Sequence, residues 1–229
     1  MKFQGNPTAK LFMTILAFEF SSARRSVALA RDGIVLSEAS ETGGYRVTNA
    51  FGLTEKVLSD AKFLREEIEV IAVGIGPGSY TGIRVALSIA QGWQLATGLK
   101  LLGIGGAECL AAQARAEKVF GRVNAVIDAQ RGEFYLATFE ISADGVKENA
   151  PLKIVSAAEI ESRSRAGEIV IGPEVTRWFA ASKNMFPSAM LLATLAAGRS
   201  NFAAGEKLEP VYLRETNFVK APPGRAMKF

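Results

Sequence analysis

Val70-Ile71-Ala72-Val73-Gly74-Ile75 is an unbroken apolar run of a length suited to a strand covered on both faces. It passes directly into the loop Gly76-Pro77-Gly78-Ser79-Tyr80-Thr81-Gly82. The segment after the loop, Ile83 to Thr97, is helical in length yet apolar on nearly every side, through Val85, Ala86, Leu87, Ile89, Ala90, Trp93, Leu95 and Ala96. A strand that needs cover on two faces, joined by a tight glycine loop to a helix that needs cover almost all round, demands a layered α/β core. Gly98 stops the helix and Lys100 to Ile104 supplies the next strand.

Upstream, Thr14 to Phe20 reads as a strand ending at the turn Ser21-Ser22. Ser26 to Ala30 and Ile34 to Ala39 follow as strands joined at Asp32-Gly33, a strong hairpin signal, so the opening is an antiparallel meander. From about Val47 to Leu64 the positions of Phe51, Val57, Leu58, Ala61 and Leu64 fit a helix with one apolar face. Gly103-Ile104-Gly105-Gly106 marks a domain boundary. Beyond it the pattern predicts a helix at 107–118, strands at 123–128, 133–141 and 147–155, and a short helix at 157–162. A strand at 168–171 follows, then helices at 174–181 and 188–197. The organisation expected is an extension at 1–12 with Met13 as an alternative start, a first lobe at 13–104, and a second at 105–229 whose last segment is free to return to the first.

Composition then removes chemistry. The chain of 229 residues contains no histidine, which excludes a His-ligated zinc site, a Ser-His-Asp or Cys-His relay and an imidazole acid or base. The one cysteine, Cys109, lies in an Ala-rich helical stretch and reads as a packed small hydrophobe. Lys2 and Lys10 precede the apolar run Leu11 to Phe18, but Glu19 and Arg24-Arg25 interrupt any secretion signal. No stretch approaches the ~18 apolar residues of a membrane span, so a cytoplasmic location and no membrane contact are expected. The net charge of +4 is spread along the chain and is weak support for contact with RNA.

The loop Gly76 to Gly82 admits two readings. Gly76, Gly78 and Ser79 can offer free amides at a helix N-terminus to an anion, or they can simply make a tight connection capped by Ser79 or Thr81. Arg84 in the first turn opposes the helix dipole and should hold a carboxylate or the loop. Asp128, ending a strand, is either a metal-orienting carboxylate or a cap for the Gln130 to Gly132 turn. Tyr212 and Arg214 are expected to fasten the chain end to the body.

Gly76-Pro77-Gly78-Ser79-Tyr80-Thr81-Gly82-Ile83-Arg84, with Ala90-Gln91-Gly92 in the next helix, resembles the signature of the TsaB (YeaZ) family. Three further segments agree in order: Ile15-Leu16-Ala17-Phe18-Glu19, then Ile127-Asp128-Ala129-Gln130-Arg131-Gly132-Glu133-Phe134-Tyr135, then Glu209-Pro210-Val211-Tyr212-Leu213-Arg214. The resemblance implies an α/β, two-lobed ASKHA fold (actin, sugar kinase and Hsp70; ribonuclease H-like) in shortened form. It also implies a part in making N6-threonylcarbamoyladenosine at position 37 of ANN-decoding tRNAs. There the related TsaD transfers the threonylcarbamoyl group and binds a metal through a His-x-x-x-His motif, TsaE is an ATPase, and TsaB is a non-catalytic scaffold that also forms homodimers, with tRNA at most indirectly touched.

A histidine-free chain cannot supply the TsaD metal site. The family's first phosphate loop also departs, with Glu19-Phe20-Ser21 in place of an Asp-Thr-Ser-like segment and the Phe20 ring expected where a hydroxyl would face phosphate. No ATP or ADP, no metal and no catalytic residue are therefore expected, with Glu19, Ser21, Gly76, Gly78, Ser79 and Asp128 as weak cofactor-site candidates. The partner face is assigned to Val57, Ala61, Leu64, Arg84, Ala86, Ala90 and Trp93. The alternatives are an ATP-dependent ASKHA phosphotransferase using Glu19 and Asp128, and a glycoprotease-like metallopeptidase.

Overall fold

The computed structural model describes residues 13–43 and 49–213. Its first sheet opens with an antiparallel meander of β1 (Thr14–Glu19), β2 (Arg24–Arg31) and β3 (Ile34–Thr42). Asp32 and Gly33 join β2 to β3 at φ of 56° and 79°, the left-handed pair that a two-residue hairpin needs. After α1 (Ala50–Ala61) come β4 (Val70–Gly74), α2 (Tyr80–Thr97) and β5 (Lys100–Ile104). β4 and β5 add in parallel, so the order is β3-β2-β1-β4-β5.

β4 is covered on both faces. Ile71 and Val73 pack with Leu16, Phe18 and Phe20 beneath α1 and α2. Val70 and Ala72 pack with Ile15, Ala17 and Leu102 on the opposite face. Each such Ile, Leu or Phe contributes about 1.5–3 kcal/mol by leaving water.

The second sheet follows α3 (Gly106–Ala116). It comprises β6 (Gly121–Asp128), β7 (Glu133–Ile141), β8 (Val146–Ser156), β9 (Ile169–Gly172) after α4 (Ala157–Arg165), and the short β10 (Lys183–Asn184), in the order β10-β9-β6-β7-β8. α3 serves both cores: Ala107, Leu110, Ala111 and Ala114 pack on β6 and β7, while Cys109 belongs to the first lobe's far face.

The chain then goes back. α5 (Ala189–Ala196) lies on the first sheet, where Ala189, Leu192, Ala193 and Ala196 cover Ile15, Ala17 and Ala28. Beyond it Ala203 bridges Leu101, Gly205 N donates to Gln94 Oε1 at 2.7 Å, Gln91 Nε2 donates to Gly205 O at 2.8 Å, and Val211 N donates to Ile75 O at 2.9 Å. Residues 203–213 thus run antiparallel along one flank of α2.

Two predicted helices are shorter than their patterns. α1 is capped by Asn49, whose Oδ1 accepts from Gly52 N, and it ends where Lys62 turns left-handed at φ 54°. Leu64 therefore lies outside the helix, while 44–48 fall outside the described residues. The segment 174–181 contains only the 3-10 turn Val175–Arg177: Glu174 stays outside it at φ 54°, and beyond Arg177 the Trp178 and Phe179 rings pack on Phe134. Among the described residues no helix is long and apolar enough to cross a membrane. The expected extension at 1–12 and Arg214 also lie outside the described residues.

Candidate functional site

The β1–β2 turn and the start of α2 face the β6–β7 turn across a cleft of about 420 Å³, lined among others by Ser21, Gly78, Ser79, Thr81, Asp128, Tyr135, Arg177 and Trp178. Four of the weak cofactor-site candidates, Ser21, Gly78, Ser79 and Asp128, meet there. Glu19 and Gly76 do not line it.

The polar groups of this cleft are largely spent on the protein itself. Ser79 caps α2, its Oγ accepting from Gly82 N at 3.3 Å, while its own N–H donates to Ser21 O at 2.7 Å. The glycines make that approach possible. A Cβ on Gly78, which sits at φ +151°, would lie 2.1 Å from Ser21 O, and one on Gly82 would lie 2.0 Å from Phe20 O. Asp128 accepts from Gln130 N at 2.7 Å and Gln130 Nε2 at 3.0 Å, closing its own turn. Arg177 pairs with Glu174 at 3.0 Å.

Glu19 is fully buried. Its Oε1 accepts from Ser21 N at 2.7 Å, so the amide of the first phosphate loop is taken by the chain's own carboxyl, and Oε2 lies against Gly74 with no hydrogen-bond partner. Burial pushes the Glu19 pKa up, against the pull of the hydrogen bonding at Ser21. Phe20 does not occupy the phosphate position: its ring is buried in the core edge-on to Phe18, with centroids 5.9 Å apart. The alternation along β1 sends 16, 18 and 20 to the helix-covered face, so the ring turns away from the cleft. Trp178, which nothing in the sequence singled out, forms part of the wall and packs edge-on against Phe134 at 5.4 Å. A nucleotide would need free loop amides and a free carboxylate, and the residues present fit it poorly. Among the described residues no three of His, Cys, Asp and Glu are grouped to hold a metal.

A second candidate site lies on the outer face of α1 and α2. Phe51, Thr54, Glu55, Arg65, Ser88, Ile89, Gly92 and Trp93 line an apolar groove of about 400 Å³. Phe51 is 75% exposed and Leu95 90%. Val57, Ala86 and Ala90, assigned to the partner face, are instead completely buried against the first sheet and cannot touch another chain. Because α2 is apolar almost all round, its composition did not reveal which stripe faces inward. Ala61 and Trp93 sit at the core's edge, Leu64 is 66% exposed, and Arg84 is exposed. Ser88, Gly92 and Ala96 form an exposed small-residue stripe, with open space above Gly92, which lets a second backbone come close.

Among the described residues Arg84 pairs with no carboxylate, and it holds the loop through the ring of Tyr80. Its guanidinium lies 4.1 Å above the Tyr80 ring, and its Nε donates to the Tyr212 hydroxyl at 3.3 Å. The Tyr80 and Tyr212 rings are 5.8 Å apart. The Gln91-Gly92 pair divides its work: Gln91 ties down residues 205–208, and Gly92 floors the groove.

Two α/β lobes, each built on a five-stranded sheet, meet at paired strand turns, the two-lobed α/β architecture that the resemblance implied. A family model described as "TsaD: tRNA N6-adenosine threonylcarbamoyltransferase" matches residues 20–213. The tRNA threonylcarbamoyladenosine biosynthesis protein TsaB of Escherichia coli (strain K12) is 28% identical, covering 93% of this chain and 100% of its own. TsaB of Haemophilus influenzae is 25% identical over 93% and 98%. A Pseudomonas aeruginosa crystal structure, described as an uncharacterized protein with similarity to peptidase YEAZ, superposes with a TM-score of 0.75 at 25% identity, over 88% of this chain and 100% of the other. The chain belongs to the TsaB (YeaZ) family.

Proposed function

We propose that this protein is the non-catalytic scaffold subunit in the formation of N6-threonylcarbamoyladenosine at position 37 of ANN-decoding tRNAs. The t6A role rests on the TsaB relatives. The scaffold reading rests on the contrast between the two sites: the cleft's polar groups are engaged internally, while the α1–α2 face exposes an apolar groove beside a small-residue stripe. The groove receives a helical face of TsaD, and a second copy of this chain takes the same place when TsaD is absent. TsaE joins that assembly, tRNA is contacted through TsaD, and the complex works in the cytoplasm without a cofactor of this subunit's own.

Co-purification with TsaD tests the reading. Wild type is expected to recover TsaD and Phe51→Glu, changed at an exposed position of the groove, to lose it with its fold intact, whereas equal recovery by both sinks the assignment of the face. Calorimetry with ATP and Mg²⁺ is expected to give no binding heat, and a saturable heat would restore the phosphotransferase alternative.

A further inference from the structure

We infer that Tyr80, Arg84 and Tyr212 form a preorganised anchor for a carboxylate of the protein that docks on the α1–α2 face. The inference rests on the docking reading above and adds the chemistry of the partner. Lys56 on α1 is paired with Asp60 at 2.8 Å, and Arg65 is paired with Glu55 at the groove's edge. Arg84 differs. Among the described residues no carboxylate lies within ion-pair distance of it, and its contacts are two aromatic side chains.

Those contacts hold the cation without neutralising it. The guanidinium lies over the Tyr80 ring and Tyr212 takes the Nε–H, so the two Nη groups remain as the fork of donors with which a guanidinium grips a carboxylate bidentately. A side chain already held in one geometry loses little rotamer entropy on binding, and arginine between tyrosines is the composition of an interface hot spot. One of the two tyrosines comes from the returning segment, pinned by Val211 N to Ile75 O, so the chain's end completes the docking face. The ligand is an acidic side chain on the partner's packed helix, one to two turns from the residue that enters the groove between Ser88 and Trp93.

Calorimetric titration of TsaD into wild type, Arg84→Lys, Arg84→Met, Tyr212→Phe and Phe51→Glu at low and high salt tests this. Arg84→Met is expected to bind roughly 10-fold or more weakly and to lose most of the salt dependence. Arg84→Lys and Tyr212→Phe should fall between, all three with wild-type thermal midpoints. If Arg84→Met binds like wild type with the same salt response while Phe51→Glu fails, the face stands and the anchor is overturned. Normal binding by both variants removes the face and the anchor together. Weakened tRNA binding by Arg84→Met with TsaD affinity unchanged also overturns the anchor, assigning the fork to phosphate instead.

Discussion

Glu19 sits sealed from water with one carboxyl oxygen bonded to the Ser21 amide and the other facing Gly74. Below its ordinary value of 4.5 the group is protonated in folded and unfolded chains alike. Above 4.5 the unfolded chain ionises while the folded chain holds its proton, so the native state loses stability as pH rises towards the raised folded value. Urea midpoints measured from about pH 4 to about pH 8 should show that decline in wild type and its loss in Glu19→Gln. Gly82→Ala drives a Cβ into the Phe20 carbonyl and should cost about 1–3 kcal/mol in the same assay. Cys109 is buried, its Sγ 3.6 Å from Ser188 O, and burial pushes its thiol pKa up. A thiol reagent should label it only at the rate of unfolding. That cysteine's inert role was legible from its Ala-rich neighbours, whereas the Phe20 ring was expected at the phosphate from its place in the family's loop, although the alternation of apolar 18 and 20 about acidic 19 sets both rings on one face.

α2 shows what a pattern conveys about an element and what it withholds. Its existence, its cap at Ser79 and its stop at Gly98 follow from local chemistry. Its three working sides do not: the sheet takes Ile83, Ala86, Leu87 and Ala90, residues 205–212 take Arg84, Gln91 and Gln94, and the groove takes Ile89 and Trp93. Ala86→Asp, which would look like an interface test from sequence alone, buries a charge and should destabilise the fold by about 3–5 kcal/mol. Phe51→Ser and Leu95→Ser should change the unfolding free energy from urea titration by no more than about 0.5 kcal/mol while weakening TsaD capture. β4 and the Asp32-Gly33 hairpin were equally plain, the first because burial on both faces leaves an unbroken apolar run and the second because its turn is set by adjacent residues. The failed helix at 174–181 depends instead on Phe179 and Trp178 being drawn onto Phe134 from a distant strand.

At the scale of the molecule, the first lobe is assembled from two separated stretches of chain. β1 to β5 build its sheet, yet the face carrying Ile15, Ala17 and Ala28 is covered by α5, and α2 is flanked by residues 203–213. A chain ending before Ser188 should therefore expose that face, bind a hydrophobic dye and aggregate, although β6 to β9 would be complete. The second lobe is made between the two parts of the first. On the ribosome, which adds roughly 5–20 residues per second, the opening sheet must wait for seconds with one side bare until its closing helix emerges. The lobe whose synthesis begins first is thus the last to finish folding, and the Arg84 fork is completed only with it.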